Sequence, residues 1–126
     1  MTRVAPSTDR GAVDSSIEML FGAMALLMVV LLVFEATAYW HTRNVFDEAA
    51  SEGVRVAAAY DGTCADGVVA ARAMVERMAS GWSDRVRVQC IDGPTVTVVV
   101  SGSTPSVLSS RLGVAARVAE SAPKER

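Results

Sequence analysis

Met19-Leu20-Phe21-Gly22-Ala23-Met24-Ala25-Leu26-Leu27-Met28-Val29-Val30-Leu31-Leu32-Val33-Phe34 runs through the first third of the chain without a charge. A helix that packs on a soluble core shows a polar face every three to four residues, and this one has none. With Ile17-Glu18 before it and Glu35-Ala36-Thr37-Ala38-Tyr39-Trp40 after it, the apolar stretch reaches about 22 residues. As a helix that is about 33 Å, the thickness of a bilayer's hydrocarbon core. Tyr39 and Trp40 fall where an interfacial aromatic belt is expected. The stretch predicts one transmembrane helix over 17–40. The alternative is a cleaved secretory signal, with Ala36-Thr37-Ala38 as the nearest cleavage sequence. The helical pattern continues past Ala38 with no new domain start, which argues against it.

Outward from the span, the 126 residues allow at most one folded domain. Residues 1–16 read as a cytoplasmic leader, 41–120 as an extracytoplasmic domain and 121–126 as a polar, frayed tail. Arg3 and Arg10 precede the span, Arg43 and Arg55 follow it, and the positive-inside count is nearly a tie. The cysteines break the tie towards N-terminus inside. Cys64 and Cys90 both follow the span and would share an oxidising compartment there, which favours a disulfide over two separate buried thiols.

The membrane helix is expected to continue as an amphipathic one. Tyr39, Phe46, Ala50, Gly53, Ala57 and Tyr60 recur at threes, fours and sevens, and Asp61-Gly62 ends the pattern. Thr63-Cys64-Ala65-Asp66 has capping-box spacing and opens a second helix. Val68, Ala71, Val75, Met78 and Trp82 form its apolar stripe, with Gly81 at its end. Residues 85–90 alternate strictly, and residues 95–100 form a second valine-rich strand across an Asp92-Gly93-Pro94 turn. A Gly/Ser/Thr/Pro loop follows over 102–110. Residues 114–119 are a third strand or, alternatively, a short alanine-favoured helix.

Composition excludes several function classes. The net charge of −2 gives no electrostatic case for nucleic acid. His41 is the only histidine, the two cysteines are far apart, and no metal set can be assembled. No nucleophile elbow, phosphate loop or dinucleotide turn is present. Glu18 and Glu35 lie about 25 Å apart along one helix, too far to act as a catalytic pair. The chain therefore reads as no enzyme, and no cofactor is called for. The two carboxylates mark the near and far ends of the span, where they reach water.

The order of parts resembles the TadE-like proteins of the tight-adherence pilus system. A leader with Arg10-Gly11 precedes a carboxylate, Glu18, that enters the apolar block. A second glutamate follows near the block's end, and then comes Ala49-Ala50-Ser51-Glu52-Gly53-Val54-Arg55-Val56-Ala57-Ala58-Ala59. The actinobacterial members look similar downstream as well, with a valine-rich hairpin and a C-terminal strand.

The resemblance implies an α+β, pilin-like fold: a long N-terminal helix, a second short helix and an antiparallel sheet of about three strands. It implies a minor pilin or pseudopilin that helps assemble a type IV-like pilus. Its partners would be membrane lipid, other pilus subunits and a prepilin peptidase. In the family the cut follows a glycine and precedes a glutamate by five positions. Here Gly11 is the cleavage candidate, and Glu18 stands seven positions on. The resemblance gives Glu18 the role of pairing with a neighbouring subunit's N-terminal amine. The rival reading is a permanently anchored subunit or binding module of an envelope complex that never polymerises.

Overall fold

The computed structural model describes residues 8–105 and 115–125, with side chains from residue 11 onward. Six elements follow in order: α1 (Thr8–Ala58), α2 (Cys64–Met78), a 3-10 turn (Ser83–Arg85), β1 (Val86–Ile91), β2 (Thr95–Ser103) and β3 (Ala115–Pro123). The fold is α+β. The contacts divide the chain into two units, Met1–Phe34 and Glu35–Arg126. The described residues of the first are the N-terminal part of α1. Its apolar side chains are exposed on every side; Leu20, Phe21, Leu26 and Leu27 all keep more than half their surface free.

The second unit is a small domain built on the rest of α1. Its sheet has the order β1-β2-β3 with both pairings antiparallel. Alternation places Val86, Val88, Val96, Val98, Val100, Ala116 and Val118 on one sheet face. That face packs with Val45, Phe46, Ala49 and Ala50 of α1 and Ala71 and Val75 of α2. A second cluster joins Ala57, Ala58 and Val96 beside Cys64 and Cys90. Phe46 and Trp82 meet with ring centroids 6.0 Å apart, closing the end of the core where α1 enters the unit.

The capping box opens α2. Thr63 Oγ1 accepts from the Asp66 backbone N–H, and the Asp66 carboxylate accepts from the Thr63 N–H in return. Small residues set the approach of the two helices. A Cβ on Gly53 would lie 3.0 Å from Ala71 Cβ, and one on Gly67 would lie 2.6 Å from Ala57 Cβ.

Several boundaries differ from the sequence expectation, each for a packing reason. α1 ends at Ala58 rather than at Asp61-Gly62, and Tyr60 is 76% exposed instead of continuing the apolar stripe. The turn from Ala59 to Gly62 is needed to send α2 back along α1; the Gly62 N–H bonds to Ala59 O. In α2 the buried row is Gly67, Ala71 and Val75, with Ala79 beyond it, all at four-residue spacing. Met78 is turned outward, and Met74 packs on the core in its place. The helix stops at Met78, before Gly81.

The sheet is longer than its sequence signal. Gly102 was expected to begin a loop but lies inside β2, paired with Val86 and Ala116. A side chain there would press within 3.3 Å of Phe46 Cζ. The rest of that loop, 106–110, lies outside the described residues. The third strand is a strand and not the alternative helix, and it runs on to Pro123.

The tail is therefore corrected: Ser121, Ala122 and Pro123 pair with Thr97, Val96 and Thr95. Beyond them the Lys124 N–H donates to Pro94 O and the Glu125 N–H to Ala58 O. Lys124, the only lysine, also caps the end of α1. Its Nζ donates to Ala57 O at 2.8 Å, to Ala59 O at 3.0 Å and to Gly62 O. A cation over the last carbonyls of a helix satisfies orphan acceptors and opposes the dipole. Lys124→Met is expected to cost about 1–2 kcal/mol, read as a lower urea midpoint at unchanged slope.

Candidate functional site

Two sets of residues carry the functional expectations, one in each unit. In the first unit, Gly11 lies three residues into α1, with helical backbone on both sides and open space where its Cβ would be. Glu18 follows two turns later, about 10 Å along the axis. Asp14 lies one turn back on the same side, and Ser16, towards the other side of the helix, donates its hydroxyl to Ala12 O at 2.8 Å. All of these side chains are exposed. Ala12, Val13, Ser16, Ile17 and Leu20 line a shallow, mostly apolar hollow on the same stretch. Glu18 thus stands at the border between a polar first part of α1 and a part with no charge until Glu35. The most apolar stretch of α1 has a mean hydropathy of 2.6 and no buried residue, which makes the helix a candidate membrane span.

In the second unit, Tyr39, Trp40, Arg43 and Asn44 line a small hollow where the domain's part of α1 begins. Trp40 is 69% exposed, and His41 beside it is also exposed. Thr42 is buried and returns its hydroxyl to Ala38 O at 2.8 Å, so it satisfies its own polar group. Cys64 and Cys90 are joined by a disulfide with Cα atoms 5.6 Å apart, tying the first residue of α2 to β1.

Electrostatics add one feature that sequence reasoning missed. Glu120 sits on the helix-facing side of β3 and meets Asp47 of α1. The hydrogen bond with Asp47 holds its carboxyl above the ordinary carboxylate range, with slight burial and the Asp47 charge adding to the effect. Nothing in the sequence marks the pair, because the two residues meet only through the packing of β3 against α1.

A carboxyl that binds its proton more tightly folded than unfolded stabilises the fold at low pH. That contribution is lost as pH rises through the folded value, which lies above 4.5. Glu120→Gln is expected to raise the melting temperature slightly at pH 7. It should also flatten the stability gain otherwise seen on acidification towards pH 4.5. By contrast, Glu52 is held below its ordinary range by its hydrogen bonds from Arg55, at 2.7 and 2.9 Å. That pair is exposed on α1 and contributes little.

Among the described residues no group of three or more His, Cys, Asp or Glu side chains could hold a metal ion. The arrangement offers an apolar helix with a carboxylate at one end and a small disulfide-stapled domain.

The family model described as TadE-like protein matches residues 15–55, from just before Glu18 to Arg55. The match covers the apolar block and most of the alanine-rich segment that follows it. No curated protein and no solved structure matches the chain.

Proposed function

We propose that this chain, TadE-like over residues 15–55, is a minor pilin or pseudopilin that acts in assembling a tight-adherence, type IV-like pilus. The observation that carries the reading is α1, whose apolar part is bare on every side and whose later part is the core helix of the domain. Such a helix can leave a bilayer only into a bundle of like helices. Gly22 and its neighbours Ala23 and Ala25 offer a low face for close approach, and nothing lies within 4 Å of the missing Gly22 Cβ. TadE-like proteins are structural rather than enzymatic, in keeping with this role.

In this reading α1 anchors the chain in the cell membrane through 17–40, with the N-terminus cytoplasmic and the domain extracytoplasmic. Glu18 pairs with the N-terminal amine of a neighbouring subunit. A prepilin peptidase cuts after Gly11, where the helix must first open. Glycine lowers the cost of that opening by about 1 kcal/mol relative to alanine.

The rival is a permanently anchored, unpolymerised subunit. The helical setting of Gly11 and its seven-residue distance from Glu18 favour it. Mass spectrometry of the mature chain, from membranes and from sheared surface filaments, separates the two. The pilin reading expects a chain beginning at Ala12 in the sheared fraction. Glu18→Ala should reduce its incorporation roughly tenfold or more, since an unpaired carboxylate or amine in an apolar bundle costs a few kcal/mol. An intact N-terminus in a chain absent from sheared filaments would leave the anchored subunit.

A further inference from the structure

The outer face of the sheet, turned away from both helices, carries a row of two arginines with a serine between them. Arg87 of β1 pairs with Ser101 of β2, and Ser101 pairs with Arg117 of β3. Strand spacing puts the two arginine Cα atoms about 10 Å apart, on either side of the hydroxyl. Arg85 stands just before β1 and lines the same groove, together with Ser101 and Ser103. All three arginines are exposed. Among the described residues none of their guanidinium groups has an ion pair or a hydrogen bond. The acidic residues of α1 nearest this end, Asp47 and Glu48, lie on the helix and not on this face.

The row also lies at a defined end of the domain. Its neighbour Gly102 sits against Phe46, six residues past Trp40, or about 9 Å along α1. The opposite end of the sheet packs on Ala57 and Ala58 and bonds to Ala58 O. That end is about 27 Å past Trp40 along α1. Asp61, Asp92 and Glu125 gather there. On balance the domain is basic towards the interfacial tryptophan, where Asp84 stands beside the three arginines, and acidic away from it, where Lys124 opposes the three carboxylates.

We propose that Arg87 and Arg117, helped by Arg85, hold the phosphate groups of anionic phospholipids on the membrane surface the domain faces. The inference rests on the membrane-anchored reading of α1 but not on any role in a pilus. Guanidinium forks suit phosphate oxygens, and a hydroxyl between them adds a donor. An anionic surface within a Debye length attracts such groups. The contact fixes which side of the domain lies down on the membrane.

The test uses the full chain in lipid nanodiscs, one set of phosphatidylcholine alone and one with phosphatidylglycerol added, read by NMR of the arginine side-chain N–H groups. Exchange protection of the Arg87 and Arg117 N–H groups is expected to be at least about fivefold greater in the anionic discs. It should be lost on raising salt from 0.1 to 1 M, where the Debye length falls from about 10 to about 3 Å. Inorganic phosphate added to the neutral discs should not reproduce it. R87Q should bring the protection of the remaining Arg117 N–H groups in the anionic discs down towards the neutral-disc level with the amide spectrum of the core unchanged, and R87K should keep part of it. Insertion into both discs with equal protection would overturn this inference alone, as would an equal response to free phosphate. Failure to insert into either disc would overturn the anchored reading and this inference with it.

Discussion

Gly67→Ala is expected to destabilise the domain, although the same exchange in an open helix stabilises by about 1 kcal/mol. Gly67 is in the first turn of α2, where a methyl group would stand 2.6 Å from Ala57 Cβ and 2.7 Å from the Gly53 carbonyl oxygen. One of those atoms is backbone and the other is a Cβ fixed to it, so neither can swing aside. The helices must separate, which disturbs Ala71 and Val75 at the centre of the core. Overpacking of this kind costs about 1–3 kcal/mol. For a domain of this size that is a fall in melting temperature of about 4–8 °C per kcal/mol. Gly67→Val should exceed it. Gly81→Ala is the control, because nothing lies within 4 Å of the added methyl group there, and it should leave the melting temperature within about 2 °C. A Gly67→Ala chain as stable as the parent would mean that α1 and α2 do not approach through these glycines.

The second large effect is expected from removing the disulfide. Cys64 and Cys90 are separated by 26 positions, and the bridge joins α2 to β1. In the chain-entropy account, releasing a loop of that size costs about 3.5 kcal/mol. A small domain has only about 5–15 kcal/mol in total, so the double variant C64S/C90S should lose roughly a quarter to seven-tenths of its stability, with the urea midpoint lowered in proportion. Urea unfolding in detergent, followed by tryptophan fluorescence through Trp82 against Phe46, measures this directly. Equal midpoints with and without a reductant would contradict it. Alkylation of the unreduced chain, detected by mass, would contradict the bridge itself.

What the sequence shows and what it hides divide by range. The charge-free block, the capping box at Thr63 and Asp66 and the alternation of Val86 and Val88 are local patterns. Each is decided by residues a few positions apart, and each recurs in the structure. Tyr60, Met78 and Gly102 were misplaced because their setting depends on partners elsewhere. The helix must end early for α2 to return, the narrow helix contact takes Ala and Gly where a stripe suggests Met, and Phe46 needs a strand position without a side chain.

Lys124 and Glu120 were invisible as structural residues. A polar C-terminus reads as a frayed tail until β3 is known to bring Lys124 under the last carbonyls of α1. Val99 is 4% exposed though it faces away from the helices. It is the middle residue of the middle strand, flanked by Gln89 and Ala119, and only the strand order shows that. Of the candidate site, Glu18 and Gly11 were legible from the order of charged and apolar residues along one helix. The arginine row needed the register of three strands.

The central claim, that this chain acts in assembling a pilus, is tested most directly by counting surface filaments in cells that lack it, by electron microscopy. Filaments are expected to disappear or fall to a small fraction, and the intact chain to restore them. Undiminished filaments in cells without the chain would contradict it.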